Sequence, residues 1–186
     1  MTMNLEGKLL VSHPNHPKES MFYKSVIYLY QDREELGSIG VMLNKPSKFT
    51  LEDLCADKNI VFQNKQYPIY HGGPVNQNAL VMLHTGEWRS ANTAEARNNL
   101  YISSDNQMLT RLALKDEPLK WRLFGGLCGW APGQLVAEMQ GIYPFSAEHS
   151  WLIADVEDDF IFRCTGNKQY QQALELSGQQ LFNQYF

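Results

Sequence analysis

The chain has 186 residues, of which 44% are hydrophobic and 19% charged, with nine Phe, nine Tyr and four Trp. That length and composition suit one domain spanning residues 1–186 with a sizeable core, and they argue against wholesale disorder. The formal charge of −4 and a pI near 5.7 disfavour direct nucleic-acid binding, which draws its affinity from basic surfaces that neutralise phosphate.

The opening residues, Met1 to Lys8, contain no apolar leader core. No window approaches the roughly 20 apolar residues of a membrane span. A cytoplasmic address without membrane contact is therefore expected. Cys55, Cys128 and Cys164 are odd in number and far apart, with neither a C-x-x-C pair nor zinc-like spacing. They read as reduced thiols.

In chain order, residues 8–12 form the first strand candidate, followed by a loop carrying Pro14 and Pro17. Residues 25–30 are β-branched and aromatic, 32–37 read as a turn, and 38–43 return as a strand, which makes a hairpin. Thr50 caps a short helix with acids in its first turn. Strands follow at 66–71, 79–85 and 99–103. Ser104 and Gln107 have capping-box spacing and start a helix to about Lys115. A strand at 120–124 runs into a glycine cluster, and Pro132 opens a helix to Met139. Residues 151–156 form a last strand. A helix over 168–185 carries Tyr170, Leu174, Ser177, Leu181 and Tyr185 on one stripe, with Ala173 and Phe182 beside it and Gly178 marking a bend.

Strands and helices do not alternate strictly. The expected fold is α+β: a mainly antiparallel curved sheet, or partly open β-barrel, flanked by helices. About eight strands and three or four helices are expected.

Three segments concentrate special backbone chemistry: Leu43-Asn44-Lys45-Pro46, His71-Gly72-Gly73-Pro74, and the run from Gly125 to Leu135. Tight turns and close packing explain such glycines. The functional alternative is a shared recognition surface with backbone N–H groups aimed at an anion. Its candidate residues are Asn44, Lys45, His71, Gly72, Gly73 and His84, together with Cys128, Gly129, Trp130, Gly133, Gln134 and Glu138.

Known nucleotide and hydrolase motifs fail here. Gly7-Lys8 is followed by Leu9 rather than Ser or Thr, and no G-x-G-x-x-G, G-x-S-x-G or H-E-x-x-H is present. His71 and His84 end neighbouring strands and could face each other as a catalytic pair. His13 and His16 read as an exposed turn rather than a metal pair, and His149 has no evident partner. Asp155, Glu157, Asp158 and Asp159 read as a solvated acidic turn rather than a hard-cation site. Cys128 is a packing residue, with redox sensing as the functional alternative. Trp88, Trp151 and Tyr185 are candidate surface aromatics for a dimer.

Taken together, Gly7-x-Leu9-Leu10-x-Ser12, Ser25-Val26-Ile27, Gly40-x-x-Leu43-Asn44-Lys45-Pro46, Gly72-Gly73-Pro74-Val75, Leu83-His84 and Gly129-Trp130-x-Pro132-Gly133-Gln134-Leu135 resemble the YqgE/AlgH family. The resemblance runs in order from Gly7 to Leu174. It implies a bacterial cytosolic protein on a partly open barrel, no established catalytic residue, and in one branch a link to transcriptional regulation. Val136 stands where a Glu is usual, Cys128 where Ala is common, and residues 16–20 replace an Asp-containing loop.

The expected function is a non-enzymatic binding or regulatory module acting on a small anionic ligand or a protein partner, without metal or cofactor. The alternative is a hydrolase using His71 or His84 as base.

Overall fold

The computed structural model describes residues 4–145, 151–156 and 159–185. Burial on both faces of the first three strands builds the centre of the sheet. In β1 (Lys8–Ser12), Leu9 and Val11 enter one core while Leu10 enters another. In β2 (Val26–Arg33), Val26 and Tyr28 point one way and Ile27 and Leu29 the other. In β3 (Gly37–Met42), Val41 and Met42 divide likewise. Leu9, Leu10, Val26, Ile27 and Leu29 are 0% exposed, and each such side chain contributes about 1.5–3 kcal/mol by leaving water.

The chain continues with β4 (Pro46–Thr50), α1 (Leu51–Asp57), β5 (Pro68–His71), β6 (Val75–Thr85), β7 (Thr93–Glu95) and β8 (Leu100–Ser103). Then come α2 (Asn106–Ala113), β9 (Trp121–Trp130), α3 (Gln134–Gln140), β10 (Trp151–Asp155), α4 (Phe160–Arg163) and α5 (Gly166–Tyr185). The sheet order is β10-β1-β2-β3-β9-β6-β8-β7, with antiparallel neighbours throughout. Off that path, β5 lies parallel to β9 and antiparallel to β4. The fold is thus α+β, a curled, mainly antiparallel half-barrel flanked by helices, as expected.

Three cores result. The inner one packs α4 and α5 against β1, β2, β3, β6 and β9, with Tyr170 and Ala173 pointing inward. A second holds α1 and α2 against Ile69, Met82 and Leu123. The third lies on the outer face under α3, where Leu10, Ile27, Met42 and Trp151 meet Leu135. Arg122 ties the inner side together. It is 7% exposed, donates to Leu43 O at 2.7 Å, Gln169 Oε1 at 3.1 Å and Cys164 O at 3.2 Å, and stacks over Tyr70.

Several elements differ from expectation. The 125–130 glycine cluster is strand rather than loop, because β9 continues to Trp130 and pairs with β3 and β6 along the way. Gly126, at φ 77°, separates Phe124 in the inner core from Cys128 in the outer one. The short strands β4 and β7 went unforeseen, and β6 begins at Val75 rather than Ala79. Helix α2 is capped by Asp105, whose side chain accepts the Met108 N–H, one residue after the expected Ser104. The capping box at Thr50 and Asp53 is present. On α5, Leu181 and Phe182 are 55% and 62% exposed, so the stripe ends a turn earlier than its periodicity suggests.

Candidate functional site

The string Gly129-Trp130-Ala131-Pro132-Gly133-Gln134-Leu135 leaves the end of β9 and turns into α3. Gln134 stabilises that turn. Its Oε1 accepts the Ala131 N–H at 3.0 Å and its own backbone N–H donates to Ala131 O at 2.9 Å. Its side-chain amide then donates to Glu138 Oε1 at 2.9 Å, one turn further along the helix. Glu138 Oε2 accepts the indole N–H groups of Trp130 and Trp151, both at 3.0 Å. Three N–H donors thus converge on one carboxyl group. An indole only donates, so both indoles need an acceptor, and the Glu138 carboxyl oxygens provide it.

The two indoles meet edge to face, with centroids 6.0 Å apart. Phe22 stands edge-on to Trp151 at 5.5 Å, and the His16 ring lies 5.9 Å from the same indole. His16 Nε2 is 3.0 Å from Ser20 Oγ. With Pro74, Pro144 and Phe145, these rings wall a cavity of about 590 Å³, within the range of small-molecule sites.

Of the residues singled out from sequence, Cys128, Gly129, Trp130, Gln134 and Glu138 line this cavity. Pro74 reaches it from the second glycine segment, so two of the three segments meet there. The third does not. Asn44 is 2% exposed and turned inward, accepting the Val26 N–H at 2.9 Å and donating to Lys24 O and Gly166 O. The Lys45 ammonium donates to Tyr23 O, and burial beside Lys24 lowers its proton affinity. The polar atoms of both residues hold the β1–β2 connection. Gly72 and Gly73 are packing residues: a Cβ on Gly72 would sit 2.0 Å from Gly126 O, and one on Gly73 2.3 Å from Leu127 O. Gly133 faces a separate cavity of about 530 Å³ on the other side of α3, beside Asp32 and Arg33.

The histidine pair is not formed. His71 ends β5 opposite Gly125 and is exposed. His84 pairs with Trp121, four residues away along β9, or about 13 Å of strand. His84 is 0% exposed, with Nδ1 2.8 Å from Thr85 O and Nε2 2.8 Å from Ser103 Oγ, between the rings of Trp88 and Tyr101. The Ser103 contact has the reach of a nucleophile–base pair. Ser103 is also 0% exposed, so the pair meets no substrate. Burial lowers the proton affinity of His84 and keeps it neutral. The hydrolase reading loses its geometric basis.

Cys128 is 1% exposed and donates its thiol to Gly72 O at 3.3 Å; burial raises its pKa far beyond the ordinary range, against redox sensing. The acids divide, with Asp155 pairing Lys8 and Asp159 pairing Lys120. His149, Glu157 and Asp158 lie outside the described residues. Among the described residues no group of three or more His, Cys, Asp or Glu could hold a metal ion. Trp88 and Trp151 are buried, at 6% and 5% exposure, rather than surface aromatics, and the Tyr185 side chain lies outside the described residues. Sequence reasoning missed His16, Phe22, Phe145 and Trp151 as site residues. One usable signal existed: a buried indole needs an acceptor, and Glu138 is the nearest acid to the Trp130 string.

The AlgH-like family model (DUF179) matches residues 9–182. A UPF0301 protein of Vibrio vulnificus is 29% identical over 183 residues, covering 95% of this chain and 93% of its own. One from Rickettsia felis is 29% identical over 177 residues, covering 94% and 89%. The solution structure of the AlgH protein from Pseudomonas aeruginosa superposes with a TM-score of 0.76 at 25% identity, covering 96% of this chain and 91% of its own. A Corynebacterium diphtheriae protein shares the fold with a TM-score of 0.64 at 24% identity, covering 87% and 81%. Among the described residues no helix is long and apolar enough to cross a membrane. With a match across nearly its whole length and the same curled sheet, the chain belongs to the AlgH-like family.

Proposed function

We propose that the chain is a non-enzymatic recognition module whose binding site is the aromatic cavity around Glu138. One observation carries this reading. Trp130, Trp151 and Gln134 hold a single carboxylate rigidly in a cavity walled by aromatic rings. Such walls arrive pre-organised, which reduces the entropy lost on binding. Among the described lining residues the thiol is Cys128, and it is buried and donating to Gly72 O. A regulatory influence, as the family resemblance implies, would act in the cytoplasm through ligand occupancy or a protein partner. The charge of −4 argues against direct DNA contact.

The test is a thermal-shift screen of cytosolic metabolites on the wild type and on Phe22→Ala. Phe22 walls the cavity, stands edge-on to Trp151 and is only partly buried, so its truncation strips one aromatic wall while leaving the fully buried core intact. A ligand at a hundred times its Kd adds about 2.7 kcal/mol of stability, or a Tm rise of roughly 5–10 °C at this size. A hit lost or weakened in Phe22→Ala supports the reading. A hit retained there places binding elsewhere and refutes it.

A further inference from the structure

We infer that the cavity around Glu138 selects an organic cation whose nitrogen carries alkyl groups in place of N–H, of the quaternary ammonium class. The inference rests on the recognition reading above and names the chemistry of its ligand.

Charge comes first. Among the described lining residues Glu138 is the acid, neither Lys nor Arg is present, and His16 is the one group able to become cationic. An anion would meet a carboxylate with no permanent cation among these residues to offset it. That displaces the small anionic ligand expected from the glycine segments. Two N–H groups at the start of the helix that was to face an anion are already taken. The Ala131 N–H is taken by Gln134 Oε1 and the Gln134 N–H by Ala131 O.

Hydrogen-bond capacity then separates one cation from another. A carboxylate offers about four lone-pair positions. Trp130 and Trp151 fill two at Oε2, and Gln134 fills one at Oε1. Among the described residues about one position remains. A primary ammonium brings three N–H donors and a guanidinium five, more than this carboxylate can still accept. An alkylated ammonium carries no N–H and needs only the field of the carboxylate and polarisable walls.

The walls supply the rest. Phe22, Trp130, Trp151 and Phe145 present aromatic carbon, and Pro74 and Pro144 present flat aliphatic carbon that suits N-methyl groups. A cation near such rings gains from their quadrupoles, most of all from indole. The indoles cannot swing away without breaking their bonds to Glu138. At about 590 Å³ the cavity also has room for a substituent beyond the ammonium head.

The probes are choline, its neutral carbon isostere dimethylbutanol, and the anionic near-isostere trimethylacetate. Each is titrated into isotope-labelled wild-type protein while the four indole N–H signals are followed by NMR. The expected result is a saturable choline shift at Trp130 and Trp151, with Trp88 and Trp121 unmoved. The isostere binds on the order of tenfold more weakly, as loss of the cation's attraction to the rings and carboxylate requires. Glu138→Gln, once its amide spectrum shows a folded chain, loses the preference for choline. The wild-type comparison decides the matter even if that variant unfolds. Equal binding of choline and the isostere overturns the cation class and leaves the recognition reading standing. Tighter binding of trimethylacetate overturns it in favour of an anion. Silence of both indoles with all three probes also overturns it, and the metabolite screen on Phe22→Ala then decides the recognition reading separately.

Discussion

Gly72→Ala tests whether the glycine segments serve packing. The added Cβ would stand 2.0 Å from Gly126 O and 2.9 Å from Phe124 Cβ. A comfortable carbon–oxygen contact is about 3.3 Å, so β5 and β9 must part by roughly 1.3 Å. Two backbone bonds run through this residue. Gly72 N–H donates to Gly125 O at 2.9 Å, and Met42 N–H donates to Gly72 O at 2.9 Å. Stretched by roughly 1.3 Å, neither remains a hydrogen bond. Counting about 1–3 kcal/mol for each of the two bonds so broken gives roughly 2–6 kcal/mol in total. That is a large part of a typical stability of about 5–15 kcal/mol. Gly129→Ala is the control, because its nearest contact of 3.8 Å is ordinary van der Waals distance. Its stability should stay within about 1 kcal/mol of wild type. Urea unfolding of all three proteins provides the measurement. A Gly72→Ala midpoint matching that of Gly129→Ala would refute the reasoning.

Two further outcomes follow from buried groups. His84 is held neutral in the fold, whereas its unfolded pKa is about 6.5, so the unfolded chain binds more protons at acid pH. Its contribution to stability is complete above about pH 6.5 and falls as pH drops toward the lowered folded value. Urea midpoints measured across that window should decline with acid, with a shallower slope in His84→Gln; equal slopes would contradict the assignment. In native protein treated with iodoacetamide, Cys164, which is partly exposed, should label first, while Cys55 and Cys128 react only in denaturant. Peptide mapping that finds Cys128 modified as fast as Cys164 would contradict its burial.

The legible parts of the fold were those governed by local pattern. Strands β1, β2, β3 and β10 announce themselves through β-branched and aromatic runs, and α1 through the Thr50–Asp53 box. The end of β9 was not legible, because glycines read locally as breaks. They are needed where Gly72 and Gly73 approach from another strand, which is a tertiary fact. The β7–β8 connection was missed although its signal was present. Asn98 and Asn99 both have positive φ, and Leu100 N–H closes on Arg97 O, as in the primed turns that join two strands tightly. The site was half legible for a similar reason. Trp130, Gln134 and Glu138 lie within one stretch of nine residues, 130–138, whose turn and helix bring them together. His16, Phe22 and Trp151 arrive through pairing of β1 with β10 and β2, which no local pattern encodes. Asn44 and Lys45 suggest a ligand because they are polar residues in a motif. Here their polar atoms hold backbone groups of the chain itself.

The central claim is that the cavity around Glu138 holds a small molecule. Its most direct test is mass spectrometry of the small molecules that co-purify from cell extract with wild-type protein and with Phe22→Ala, which lacks one aromatic wall of the cavity. The account predicts at least one compound enriched with the wild type and depleted from the variant. Identical small-molecule profiles for the two folded proteins would contradict it.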